Sequence, residues 1–194
     1  MVAIASVCVF CGASPGTDPR HLALARAVGA GLAERGIGVV YGGGRVGLMG
    51  ALADATLEAG GTVTGIIPRS LVARELAHPG LTSLLVVETL HERKAEMARL
   101  SDGFIALPGG PGTLEELAEV ASWGQLGLHA KPIGLLGDGG YWEDLLAWLD
   151  RATTEGFLRP DHAAFLTADA DLDALLARFE AWRPPDDRWG APPV

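Results

Sequence analysis

Cysteine is scarce: Cys8 and Cys11 are the two in 194 residues. Two cysteines cannot frame a disulfide-stapled fold. Their C-x-x-C spacing would allow a redox pair or half a zinc site. No second pair exists, however, and no histidine follows at finger spacing, so both read as ordinary thiols at the end of a buried strand. Basic residues are also few, 15 Lys and Arg against 24 Asp and Glu, for a formal net charge of −9. Such an acidic surface repels a polyphosphate, which argues against nucleic acid as a partner but leaves room for a local pocket holding one small anion. No apolar run comes near the ~18 residues that would span a bilayer. The opening Met1-Val2-Ala3-Ile4-Ala5 has no basic segment and runs straight into an apolar pattern. That reads as neither signal peptide nor anchor and predicts a cytoplasmic protein without a membrane partner.

What the chain does have is apolar mass and glycine. Hydrophobic residues make up 48%, enough for a sizeable core, and the length suits one domain. We expect that domain over 1–182, followed by an irregular tail over 183–194 that carries four prolines, Pro184, Pro185, Pro192 and Pro193. The 27 glycines cluster rather than spread, which points to sites lined by backbone.

Short continuous apolar runs alternate with longer periodic segments. Strands are expected at 4–10, 38–41, 62–67, 81–87, 103–107 and 132–136. Helices are expected near 19–35, 47–59, 90–100, 113–126, 142–155 and 171–182. Continuous rather than alternating apolar strands suit a parallel sheet covered on both faces. The fold class predicted is α/β: a Rossmann-like, doubly wound sheet of mostly parallel strands with helices on both faces. In such sheets ligands sit beyond the carboxyl ends of the strands.

Three loops lie at such ends. Cys11-Gly12-Ala13-Ser14-Pro15 follows the first strand, and Ser14 offers a hydroxyl. Tyr41-Gly42-Gly43-Gly44-Arg45-Val46-Gly47-Leu48-Met49-Gly50 satisfies G-x-G-x-x-G. It follows the second strand rather than the first, and the next strand ends at Ile67-Pro68-Arg69 without the carboxylate that a dinucleotide ribose needs. An NAD(P)-dependent oxidoreductase is disfavoured on both counts. A glycine loop offering N–H groups and a helix start to an anion remains. The third loop, Leu107-Pro108-Gly109-Gly110-Pro111-Gly112-Thr113-Leu114-Glu115-Glu116, is the strongest. Gly112 and Thr113 open the next helix, and Thr113 can cap it or bind an anion. No Lys-Ser/Thr follows Gly112, so this is not a Walker A loop.

Thr113, Glu116, Val120 and Trp123 share one helical face, which turns Glu116 toward a pocket. Glu115 and Glu119 read as ordinary surface carboxylates near a helix start. In Glu88-Thr89-Leu90-His91-Glu92-Arg93-Lys94-Ala95-Glu96-Met97, Thr89 and Glu92 form a capping box. Leu90, Met97 and Leu100 mark the apolar stripe, so Arg93 and Lys94 fall on or beside it. One cation there could snorkel, but two more naturally meet an anion, either a carboxylate such as Glu116 or a phosphate. His91 reads as solvent-facing. Trp123, Leu126 and Leu128 read as core rather than interface.

These segments together resemble the LONELY GUY (LOG) family of cytokinin riboside 5′-monophosphate phosphoribohydrolases. The glycine–threonine–glutamate stretch Pro108–Glu116 and His91-Glu92-Arg93-Lys94-Ala95-Glu96-Met97 carry the likeness. Phe10-Cys11-Gly12-Ala13-Ser14, Tyr41-Gly42-Gly43-Gly44, Gly47-Leu48-Met49-Gly50 and Lys131-Pro132-Ile133-Gly134-Leu135-Leu136 support it. The resemblance implies a nucleotide-binding domain that cleaves the N-glycosidic bond of an N6-modified adenosine 5′-monophosphate to free base and ribose 5-phosphate. It implies Arg93 and Glu116 as the catalytic pair. It implies Glu75, Arg93, Lys94, the stretch Gly110–Glu116 (Gly110, Gly112, Thr113 and Glu116 foremost) and Ser122 as substrate contacts, and the loop readings above add Ser14, Gly43, Gly44, Met49 and Gly109. Ser122 keeps the hydroxyl of a family threonine, whereas Pro111 replaces a plant tyrosine and so bears on base preference. Family members form homodimers, some of them larger assemblies, with sites near the subunit boundary. No cofactor and no metal is expected. The alternatives are a non-catalytic carrier of a nucleotide or molybdenum cofactor, and a plain AMP nucleosidase without a cytokinin role.

Overall fold

The computed structural model describes residues 4–72, 77–137 and 140–184. In chain order, β1 (Ser6–Phe10), α1 (Arg20–Glu34), β2 (Gly38–Tyr41), α2 (Gly47–Glu58), β3 (Val63–Pro68) and a short α3 (Arg69–Val72) come first. Then follow β4 (Ser83–Val87), α4 (Leu90–Arg99), β5 (Gly103–Ala106), α5 (Pro111–Gln125) and β6 (Ile133–Leu136). The series closes with α6 (Glu143–Thr154), a short α7 (Pro160–Ala163), β7 (Leu166–Asp169) and α8 (Leu172–Ala181).

The strands form one seven-stranded sheet in the order β4-β3-β2-β1-β5-β6-β7, and every pairing is parallel. The chain winds outward from β1 to β4, then returns to lay β5 against the other edge of β1 (Val7 opposite Gly103, Phe10 opposite Ala106). That reversal splays the loops after β1 and β5 apart and opens a crevice between them. Side chains alternate across the sheet. Val7, Val9, Leu136 and Tyr41 face α1, α2 and α8, where Leu32, Leu52, Leu175 and Phe179 bury themselves. Cys8, Phe10, Phe104 and Leu135 face the opposite layer of Met97, Leu117, Val120 and Trp142. Cys8 and Cys11 thus lie in opposite core layers, both as buried free thiols. Burial pushes both thiols well above their usual range, and the negative charge of Glu116 adds to it.

Six expected strands and six expected helices are present, with ends shifted by one or two residues. The edge strand β7 and the four-residue α3 and α7 were not expected. β7 reads Leu-Thr-Ala-Asp and is half-buried throughout, so it lacks the apolar run that marks a central strand. Leu126 and Leu128 are 43% and 69% exposed, so they are not core, whereas Trp123 packs against it. Residues 185–194 of the expected tail lie outside the described residues.

Candidate active site

The crevice is a cleft of about 650 Å³. Its walls come from the loop after β1 (Cys11 to Thr17), the start of α2 (Leu48, Met49), Arg93 of α4, and the stretch from Pro108 to Thr113 with Glu116. Backbone contacts hold these loops together. Gly12 N–H donates to Pro108 O (3.1 Å), and Leu48 N–H donates to Gly12 O (3.0 Å). Gly47 has φ +60°, and a Cβ there would stand 2.3 Å from Ala13 O, so no other residue lets α2 approach the first loop so closely. Leu48 thus spends one of the first free N–H groups of α2 on protein, which weakens the expected anion site at that helix.

Arg93 is built into the floor. It is 8% exposed, yet its guanidinium reaches two strand-end carbonyls, with Nε donating to Ile66 O (3.1 Å) and Nη2 to Gly42 O (2.9 Å). Its Nη1 stands 3.9 Å from Glu116 Oε1, and the Glu116 side chain is 15% exposed. Of the two anions weighed for the buried cations, a carboxylate or a phosphate, Glu116 is the one that Arg93 faces. A Cβ on Gly42 would lie 2.0 Å from Arg93 Nη2, so this glycine makes room for the guanidinium.

α5 begins two residues earlier than expected. Gly110 is its N-cap, Pro111 occupies the first turn where its missing N–H costs nothing, and Thr113 is buried inside the helix instead of capping it. A Cβ on Gly109 would strike Thr113 Oγ1 at 2.1 Å, a purely internal demand. A Cβ on Gly110 or Gly112 would meet no protein atom within 4 Å. The protein needs glycine at 109 for its own packing; at 110 and 112 it leaves open space beside a helix N-terminus, where an anion is favoured.

Other expected site residues lie elsewhere. Gly43 O accepts from His78 N–H (3.0 Å), tying the second loop to the segment after α3, Gly44 O accepts from the Tyr41 hydroxyl (3.1 Å) within the loop, and neither glycine lines the cleft. Lys94 is 6% exposed and pairs with Glu115 and, at 2.9 Å, with Glu119. Burial disfavours its charge, but the hydrogen bonds and charges of the two glutamates outweigh that and hold its pKa above the usual value. Glu115 and Glu119 are thus partners of a buried cation rather than idle surface carboxylates. Leu90 is 53% exposed, so Arg93, Lys94 and Met97 form the buried stripe of α4 instead. The capping box closes one residue early, with Thr89 Oγ1 accepting from Glu92 N–H (3.1 Å) and Glu92 Oε2 from Glu88 N–H (2.9 Å). Ser122 Oγ donates to Ala118 O (2.8 Å) and faces a separate apolar groove between α5 and α6. Glu75 lies outside the described residues. Ser14, Met49, Gly109, Gly110, Gly112, Thr113, Arg93 and Glu116 come together in the cleft.

Sequence reasoning missed His21 at the start of α1 and Tyr141 after β6, and it stopped short of Gly16 and Thr17 in the first loop. Tyr141 had a signal. It follows Gly139-Gly140 beyond the carboxyl end of the strand next to β5, the same position that drew attention to the other loops.

Known proteins resemble this chain over most of its length. A family model described as "Possible lysine decarboxylase" matches residues 49–179. A probable cytokinin riboside 5′-monophosphate phosphoribohydrolase of Oryza sativa subsp. japonica is 49% identical over 92% of this chain and 73% of its own. A cytokinin riboside 5′-monophosphate phosphoribohydrolase of Rhodococcoides fascians is 50% identical over 91% of this chain and 89% of its own. The molybdenum cofactor carrier protein of Chlamydomonas reinhardtii superposes with a TM-score of 0.69 at 22% identity, covering 92% of this chain and 98% of that one, which shows a shared fold. The decarboxylase description finds no support in the lysines. The sequence has two, Lys94 and Lys131. Lys94 is held by its glutamates, Lys131 donates to Ala98 O (2.6 Å), and neither lines the cleft, so no lysine is placed to hold a pyridoxal cofactor there.

Proposed function

The chain belongs to the LONELY GUY (LOG) family, and on that premise we propose that it hydrolyses the N-glycosidic bond of adenosine 5′-monophosphates, N6-prenylated bases included. The products are the free base and ribose 5-phosphate. Breaking the bond from C1′ to the base builds positive charge on the sugar ring. A carboxylate facing that carbon offsets the charge and takes a proton from the attacking water. The water oxygen then bonds to C1′, and the base departs with the bonding electron pair, to be protonated on its ring nitrogen. We assign the carboxylate role to Glu116. Arg93, anchored on Gly42 O and Ile66 O, orients it.

The observation that carries this reading is the meeting, in one cleft, of the Arg93–Glu116 pair at 3.9 Å with a helix start whose Gly110 and Gly112 leave open space. The helix start suits the 5′-phosphate, with Ser14 and Thr113 beside it, and a phosphate held there would fix the sugar against the carboxylate. Met49 and Leu48 offer an apolar surface toward the base. A carrier reading rests on fold likeness alone and gives the Arg93–Glu116 pair nothing to do. The same proposal includes a cytoplasmic homodimer. The exposed Leu126 and Leu128 are available to a partner copy, and light scattering on the purified chain should return twice the mass of one chain.

The test is a substrate panel read by chromatography. AMP and N6-isopentenyladenosine 5′-monophosphate should each release base and ribose 5-phosphate, while adenosine, which lacks the phosphate, should remain essentially intact. Absence of both products at high enzyme concentration would reject the proposal. Release from AMP alone would favour the plain nucleosidase.

A further inference from the structure

The loop entering α5 carries two successive glycines and would sample many shapes if left alone. One side chain ties it down. The Tyr141 hydroxyl donates to Gly109 O and accepts from Gly109 N–H (3.3 Å), so a single oxygen engages both polar groups of that residue. Tyr141 is itself braced. Gly140 before it turns the chain with φ +80°, Trp142 meets its ring edge-on at 5.0 Å, and His21 of α1 does so at 5.8 Å. Trp142 is buried, and its Nε1 is directed at Leu136 O (3.4 Å), so the brace reaches back to β6. From the opposite side Gly12 N–H holds Pro108 O (3.1 Å), and Thr113 Oγ1 closes on Gly109. The loop is gripped on both flanks, immediately before the two glycines that leave open space.

We infer that Tyr141 is a positioning residue for the 5′-phosphate: by clamping Gly109 it keeps the Gly110 to Thr113 backbone in the shape that receives the anion. The inference rests on the nucleotide reading above. The Tyr141 hydroxyl bonds to Gly109, so it bears on phosphate affinity and not on the bond being broken. Losing it frees the loop, and binding must then supply the ordering that the clamp had supplied in advance.

The experiment is Tyr141→Phe, which keeps the ring and its packing on Trp142 and His21. The KM for AMP and the calorimetric Kd for ribose 5-phosphate should both rise about tenfold, the scale of one to two lost hydrogen bonds. The kcat at saturation should stay within about threefold, the pattern of a purely binding contribution. Adenine binding should not change, and the amides of Gly109, Gly110, Gly112 and Thr113 should exchange faster with solvent. A Phe variant that binds ribose 5-phosphate as the parent does, or one whose kcat falls at unchanged KM, overturns the inference and leaves the nucleotide reading standing. Failure of the parent itself to bind ribose 5-phosphate overturns both.

Discussion

Exchanging Glu116 for Gln should lower kcat by about 10²–10⁴, the range for losing a positioned acid–base group. The substitution keeps the shape and removes the charge. A carboxamide cannot offset a developing oxocarbenium ion, and it cannot take a proton from water. Because Arg93 keeps its carbonyl partners at Gly42 and Ile66, the floor of the cleft persists, and the melting temperature should move little. Binding of ribose 5-phosphate should survive, since the phosphate end lies along the helix start. Steady-state release of adenine, with calorimetry on the product, separates the two effects. A variant within about threefold of the parent rate would remove Glu116 from the mechanism.

Gly42→Ala should also lower activity, though less, without touching substrate. The new methyl would stand 2.0 Å from Arg93 Nη2, so the guanidinium must leave its seat. Moving it sacrifices the bond to Gly42 O and shifts the Nη1 that faces Glu116. A lost hydrogen bond to a charged group is worth about 1.5–3 kcal/mol, which should appear as a lower unfolding free energy in urea. The rate should fall about 10- to 100-fold as Glu116 loses its orienting partner, each decade corresponding to about 1.4 kcal/mol in the barrier. Gly110→Ala is the informative contrast. Its methyl meets no protein atom within 4 Å, and φ is −92°, so the fold should tolerate it, while the KM for AMP rises as the methyl intrudes on the ligand's space. Equal effects from the two alanines, on both stability and KM, would contradict this division between an internal glycine and a ligand-facing one.

The elements were legible because each is written in residues close along the chain. The run Gly-Val-Val-Tyr marks β2, and Thr89 with Glu92 marks the start of α4. Glu116 could be aimed correctly because a helix fixes the direction of its side chains from spacing alone. Arg93 and Lys94 show the limit of that method. Spacing put both on the buried stripe but could not say which one meets Glu116. Arg93 reaches it, and Lys94 turns instead to Glu115 and Glu119, because the two side chains leave the helix about 100° apart toward different parts of α5.

Local periodicity and turn chemistry therefore determined the strands, the helices and the three loops worth watching. Strand order did the rest. Only the parallel pairing of β5 with β1 brings Gly12 against Pro108, and only β6 beside β5 delivers Tyr141 to Gly109. The same assembly engaged Gly43 with His78 and Gly44 with Tyr41, and turned Ser122 toward another groove. Contacts between residues far apart in the chain depend on which edge a returning strand selects. That choice is made by burying the whole sheet at once, so no single stretch of residues records it.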